Sequence, residues 1–259
     1  MNPSDAFKQD CQIEIGEMGS DKEVKRLTDD WIQKVNSFKY SYHFDFLGRP
    51  IIQYPQDMIA IQELIWKVKP DLIIETGIAH GGSLIQSAAM LALIDLSEAV
   101  VSNTMLDPKV SARQVVAVDI DIRAHNRQEI EKHPLSSRLT LIEGSSVEPS
   151  IVSRIGEIAR NHQSVMVLLD SNHTHEHVLS ELKAYADFVT VGSYCVVFDT
   201  IIENMPDSAS LNRPWSPGNN PQTAVNEFLT NNSSFEIDKS IQEKLLITVA
   251  PNGYLRRTM

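Results

Sequence analysis

From Asp71 onward the chain alternates short β-rich runs with helical windows, and this alternation limits the possible folds more than any other feature. The β-rich runs are Leu72–Ile74, Val115–Val118, Leu139–Ile142, Val165–Leu169 and Ser193–Phe198; helical windows lie near 82–96, 123–132, 148–160 and 174–186. Strand–helix alternation of this kind means a mostly parallel sheet covered on both faces, a doubly wound α/β fold. A helix over 223–229 then leads to Phe235-Glu236-Ile237 and to Leu245–Val249, which are expected to pair as a C-terminal antiparallel hairpin closing the sheet edge. With 259 residues and 42% hydrophobic content, there is apolar material for one large domain over 71–259. Residues 1–70 read as an N-terminal helical extension packed on it. There, 1–20 are polar and aperiodic, Asp21–Ser37 and Gln56–Val68 are helical, and the aromatic stretch Tyr40–Tyr54 is irregular.

The first core strand runs into Glu75-Thr76-Gly77-Ile78-Ala79-His80-Gly81-Gly82-Ser83. Glycines in a strand-to-helix turn allow a ligand to approach the backbone, and the helix N-terminus offers free N–H groups. Three residues separate Gly77 from Gly81, which is not the GxGxxG spacing of a dinucleotide site, so the turn favours S-adenosylmethionine (SAM) over a nicotinamide cofactor. Asp119 ends the second strand, where a carboxylate accepts ribose hydroxyls, and Gly144-Ser145-Ser146 follows the third as a small polar turn along an adenine edge. All of these lie at strand C-termini, where ligands bind in open α/β sheets.

Strands four and five run into Asp170 and Asp199-Thr200. Two carboxylates in one crevice suit Mg²⁺ or another hard divalent ion, which holds a substrate hydroxyl and lowers its pKa. Asp170 also borders the cofactor. His173 is the candidate general base beside it, because imidazole titrates near neutrality. In the helix expected there, His173 and His177 share a face and His175 does not. The polar segment 204–220, with Pro206, Pro214, Pro217 and Gly218, reads as a lid over the acceptor: Trp215 for stacking, Arg213 for an anionic group.

A net charge of −11 and a pI near 5.2 argue against a nucleic-acid partner. Cys11 and Cys195 form no CxxC pair, no secretory layout opens the chain, and the longest apolar-rich stretch contains Gln86 and Asp95. A cytoplasmic protein with no membrane partner is expected. A nicotinamide-dependent oxidoreductase and a vestigial SAM-binding protein are the competing functions.

From about Tyr40 to the C-terminus the sequence resembles the cephalosporin-hydroxylase-like family, which includes rhamnosyl O-methyltransferases. The resemblance is carried by Gly48-Arg49-Pro50-Ile51-Ile52, Gln56-Asp57-Met58, the Glu75–Ser83 loop, Leu169-Asp170-Ser171-Asn172-His173-Thr174-His175, Val197-Phe198-Asp199-Thr200, Arg213-Pro214-Trp215 and Gly218-Asn219-Asn220-Pro221. It implies a class I methyltransferase fold and O-methyl transfer from SAM to a sugar or other small-molecule acceptor. It also implies a SAM site at Glu75–Gly82 and Asp119, and a divalent metal on Asp170 and Asp199. Antibiotic-pathway members carry Glu-Asp where this chain has Phe198-Asp199. Catechol-type enzymes carry Asn where it has Thr200, a residue that still offers an oxygen; Glu203 is a candidate third ligand. A homo-oligomer is expected.

Overall fold

In the computed structural model, which describes residues 2–206 and 211–259, one seven-stranded sheet organises the chain. Its strands are β3 (Leu72–Thr76), β4 (Gln114–Asp119), β5 (Leu139–Glu143), β6 (Val165–Leu169), β7 (Tyr194–Val197), β8 (Phe235–Ile237) and β9 (Tyr254–Arg257), in the order β5-β4-β3-β6-β7-β9-β8. The first five are parallel, and β9 runs antiparallel between β7 and β8. The order reverses direction at β3, so the crevice beyond the ends of β3, β4 and β6 is the ligand-binding position of an open α/β sheet.

Residues within each strand alternate between two cores. Ile73, Val115, Ala117, Met166 and Leu168 face α3 (Pro55–Val68), α4 (Gly82–Ser102), α5 (Ala124–Lys132) and α9 (Lys239–Leu245). Leu72, Ile74, Val116, Val118, Val165 and Val167 face α6 (Pro149–Ala159), α7 (His175–Tyr185) and α8 (Pro221–Asn231). Burial on both faces explains why these strands read as continuous apolar runs. α4 is long and apolar enough to cross a membrane. Its apolar residues Leu84, Ile85, Ala88, Leu91 and Ile94 are instead buried in this core.

Three expectations fail here, one of them the irregular Tyr40–Tyr54 stretch, in which Phe44–Phe46 pairs antiparallel with Arg49–Ile51. Leu245–Val249 is no strand: α9 occupies Lys239–Leu245, and β8 pairs with β9 ten residues further on. Thr248 and Val249 are engaged by a buried carboxylate, which holds them out of the sheet. Residues 3–20 are not irregular but form α1 (Pro3–Ser20), started by Asn2, whose side chain accepts from Ser4 N, and by Pro3 at its first position. It buries only Gly19, packed on Glu243 of α9, so it needs no apolar stripe. The following α2 (Lys22–Asn36) matches the expected helix, with Asp21 as its N-cap.

The segment after α2 braces the site. A short hairpin, β1 (Phe44–Phe46) with β2 (Arg49–Ile51), delivers Arg49, which donates from Nε and Nη2 to the His80 carbonyl at 3.0 and 2.7 Å. Asn126 of α5, itself held by Arg49, donates to the Ala79 carbonyl at 2.9 Å. In α3, the fully buried Asp57 accepts from Thr248 Oγ1 (2.5 Å), Val249 N (2.9 Å) and Tyr254 Oη (2.7 Å), joining that helix to the C-terminal strand. Burial pushes its carboxyl up to about 6 against these three bonds. Asp57→Ala leaves three buried donors without an acceptor, at about 1–3 kcal/mol each. Urea unfolding is therefore expected to show a loss of at least about 3 kcal/mol, with Asp57→Asn losing less; equal stability of Asp57→Ala and the wild type would refute this account.

Candidate active site

The Gly-rich turn follows β3 directly. Gly77 (φ +88°) lies so close to the chain entering from β6 that any Cβ there would collide with the Asp170 carbonyl. At Gly82 a Cβ would strike Pro50 and Ile51, so this second glycine lets the bracing hairpin reach the loop. Between them Ala79 is held at φ +45°, an unfavourable conformation for a residue with a side chain. Asp119, at the end of β4, restrains it by accepting from Ile78 N at 2.7 Å and Ala79 N at 3.4 Å with one oxygen, and from Asp121 N with the other. Its carboxylate thus stands beside the loop as expected, oriented by three backbone amides.

Beneath the loop, Glu75 is 2% exposed. Ser83 Oγ donates to its Oε1, and burial pushes the carboxyl up to about 8 although that bond opposes the shift. In the turn after β5, Gly144 (φ +150°) and Ser145 are partly buried, while Ser146 lies deeper. Ser146 Oγ meets His177 Nε2 at 3.1 Å and its carbonyl accepts from Tyr185 Oη at 2.6 Å, so this serine is committed to the fold.

Asp170 and Asp199 lie side by side at the ends of β6 and β7. Their ligand atoms and that of His173 all fall within 4.8 Å of one another, and His173 Nε2 stands 3.2 Å from Asp199 Oδ2. Asp199 sits at φ +55°, a conformation that Asp tolerates better than most residues and that starts the tight turn over Thr200–Asn204. Burial and the negative charges of Asp199, Glu75 and Glu181 hold the Asp170 carboxyl well above the usual carboxylate range, while Gln53 Nε2 donates to it at 3.0 Å. Two adjacent carboxylates and an imidazole, strained by like charge, fit a hard or borderline divalent cation.

The other expected ligands are elsewhere. Thr200 is fully buried and spends its hydroxyl on the Pro251 carbonyl at 2.6 Å. Glu203 accepts from Gly218 N (2.9 Å) and Asn220 Nδ2 (2.5 Å), tying a loop and not a metal. The third member of the trio is His173, which lies ahead of α7 in a turn where Asn172 Oδ1 accepts from Thr174 N. No helix therefore puts His173 and His177 on one face. His175 joins Asn219, Thr223 and Glu227, and His177 joins Ser146, Ser171 and Glu181.

A cleft of about 340 Å³ opens above the trio, bordered by Tyr42, Ile52, Gln53, Met205, Arg213 and Trp215. Trp215 packs edge-on against His173, with ring centroids 4.6 Å apart, and the Arg213 guanidinium lies 5.3 Å from the Trp215 ring centre. Both expected acceptor residues therefore border the trio. Residues 207–210 of the expected lid lie outside the described residues. Gln53, which touches Asp170 from the N-terminal side, was not anticipated: no spacing rule links it to a carboxylate 117 residues away.

Residues 38–258 match the family model described as rhamnosyl O-methyltransferase/CmcI. The chain is 27% identical over 207 residues to a rhamnosyl O-methyltransferase of Mycobacterium tuberculosis (78% of this chain, 73% of that protein) and 24% identical over 214 residues to one of Mycobacterium leprae (82% of each). Among solved structures, CmcI with Mg and SAM superposes with a TM-score of 0.55 at 18% identity (84% of this chain, 78% of that one), and apo CmcI with 0.54 at 17% (84% and 77%). These two share the fold. The chain belongs to the rhamnosyl O-methyltransferase/CmcI family and is a SAM-dependent O-methyltransferase.

Proposed function

We propose that the enzyme methylates a hydroxyl of a sugar or sugar-bearing natural product, with a divalent cation on Asp170, His173 and Asp199. The observation that carries this reading is the meeting of two sites at one edge of the sheet: the glycine turn after β3 and the trio after β6 and β7, under a cleft walled by Trp215 and Arg213. Gly77, Gly81, Gly82 and Ser83 receive the methionine end of SAM, Asp119 the ribose, and Gly144 and Ser145 the adenine. When bound, the cation supplies Lewis acidity that lowers the pKa of an acceptor hydroxyl. The chain's own residues orient the reactants: Trp215 offers a flat wall for a sugar ring, and Arg213 meets an anionic group. The methyl carbon then passes in line from sulfur to the acceptor oxygen, its bond to sulfur breaking to leave S-adenosylhomocysteine while the hydroxyl proton passes to water in the open cleft, a displacement that depends above all on positioning. Free Cys11 and Cys195 accord with the cytoplasm. A homo-oligomer is supported by Leu93, Leu96, Val100 and Val101, exposed near the end of α4, and sedimentation velocity reads it directly.

His173 is open to two roles, base or ligand, and its 3.2 Å approach to Asp199 favours ligand. Asp170→Asn, Asp199→Asn and His173→Ala are each expected to weaken Mn²⁺ binding at least tenfold in calorimetric titration and to abolish metal-stimulated turnover. A His173→Ala variant that binds metal normally but does not turn over would return His173 to the base role, and full activity after exhaustive chelation would remove the metal.

Glu75 links stability to cofactor binding. Its carboxyl rises from about 4.5 to about 8 on folding, so the folded chain holds the proton more tightly and stability falls as pH climbs through that window. Glu75→Gln keeps an acceptor for Ser83 and removes the titration. Calorimetry is expected to show the variant melting higher than the wild type at pH 8, the gap closing toward pH 5. The cationic amino group of SAM favours ionised Glu75, so wild-type affinity is expected to strengthen from pH 6 to 8 by up to about tenfold per unit, and the variant to bind weakly with no such slope.

Trp215→Ala is expected to lower kcat/KM for the acceptor about tenfold or more while SAM affinity stays within about twofold, since an aromatic stacking wall contributes on the order of 1 kcal/mol beyond its buried area. A variant that melts several degrees earlier with unchanged kinetics would make Trp215 a packing residue.

A further inference from the structure

Gln53 lies between β2 and α3 at the one place where the glycine turn, Asp170 and a small buried pocket under Glu75 meet; it borders all three. The side chain is 6% exposed. Because Nε2 donates to Asp170 Oδ2, the amide is oriented, and Oε1 is left buried without a hydrogen-bond partner. Glu75 Oε2, lining the same pocket, is likewise without one. A buried acceptor that lacks a donor costs free energy comparable to a lost hydrogen bond. Two unpartnered oxygens beside one pocket, with the Asp170 carboxyl adjacent, call for a donor group, and a positively charged one favours ionised Glu75 so that Oε2 accepts. An ammonium has three donors and no acceptor. A carboxylate would meet like charge there, and finds its complement instead at the N-terminus of α4.

We infer that Gln53 positions SAM by accepting, at Oε1, a hydrogen bond from the α-ammonium of its methionine arm, shared with Glu75 Oε2, while Nε2 keeps Asp170 turned toward the trio. Gln53 thereby connects cofactor and metal through a single amide. The inference rests on the methyltransferase reading and adds a residue and a ligand atom to it. It also gives the N-terminal segment a direct part in reading the cofactor's amino-acid arm.

The test uses the full chain with metal removed by chelator, so that any effect through the trio is silent. S-adenosylhomocysteine, which carries the ammonium, and 5′-methylthioadenosine, which lacks the amino-acid arm, are titrated calorimetrically into the wild type, Gln53→Met and Gln53→Glu. Gln53→Met is expected to weaken S-adenosylhomocysteine about tenfold or more, the usual range for a lost bond to a charged group, and to leave methylthioadenosine within about twofold. Gln53→Glu, which keeps an acceptor, is expected to hold S-adenosylhomocysteine within a few-fold of the wild type. Unchanged binding of S-adenosylhomocysteine by Gln53→Met, or equal weakening of both ligands, overturns the inference and leaves the methyltransferase reading standing. A wild type that binds neither ligand overturns both.

Discussion

The arrangement of this site depends on one close approach, that of Gly77 to the backbone of Asp170. Parallel pairing of β3 with β6 ends with Asp170 N donating to the Thr76 carbonyl at 2.9 Å, so the two chains leave the sheet together. Beyond that bond there is no room for a side chain at Gly77, and its positive φ turns the loop away over the crevice. The glycine turn and Asp170 are therefore neighbours by backbone geometry alone. Everything added around them, Asp199 from β7, Asp119 from β4 and Gln53 from the N-terminal side, is positioned relative to that pair.

Such a site is electrostatically unfavourable by itself. Glu75, Asp170 and Asp199 crowd three carboxyl groups into one crevice; burial pushes Glu75 up to about 8, and burial with the neighbouring negative charges raises Asp170 well above the usual carboxylate range. In the proposed function, the cationic methionine arm and a divalent ion are the two ligands that relieve this. Repulsion of this kind is relieved when cations bind, so the same raised carboxyls that make stability fall with pH would also favour cationic ligands. The protein tolerates the cost through strong supports elsewhere, among them Asp57 with three buried donors and the Arg49 clamp on His80.

The parts of this design legible in the sequence are those set by local rules. Strands buried on both faces leave apolar runs, and residues at their C-terminal ends fall at one edge, so Glu75, Gly77, Asp119, Asp170 and Asp199 could be placed from spacing. What could not be placed depends on long-range contacts. Leu245–Val249 has the composition of a strand but is captured by Asp57, almost two hundred residues earlier. Thr200 has a suitable oxygen, yet the turn that begins at Asp199 rotates it into the core toward Pro251. His173 is legible as a titratable group close behind Asp170 but not as the neighbour of Asp199, because the expected helix begins two residues later, at His175. α1 carries no apolar period since it lies on the surface, and only its Asn-Pro start marks it.

The loop carrying Arg213 and Trp215 shows how a segment without regular structure is held. Its far end is fixed twice: Glu203 binds Gly218 and Asn220, and Asn219 accepts from His175 N and donates to the Pro214 carbonyl. Asn220 also caps α8 with reciprocal bonds to Thr223. Trp215 lies inside this knot, between Pro214, whose carbonyl Asn219 holds, and the Ser216–Asn219 backbone pair, so the indole is presented from an anchored turn and leans on His173. Held on both sides, the indole forms a wall of the cleft whose position is set by hydrogen bonds of the surrounding turn. If the cleft holds the acceptor and the trio a cation, as proposed, this edge contact couples acceptor binding to the geometry of His173 and the two carboxylates.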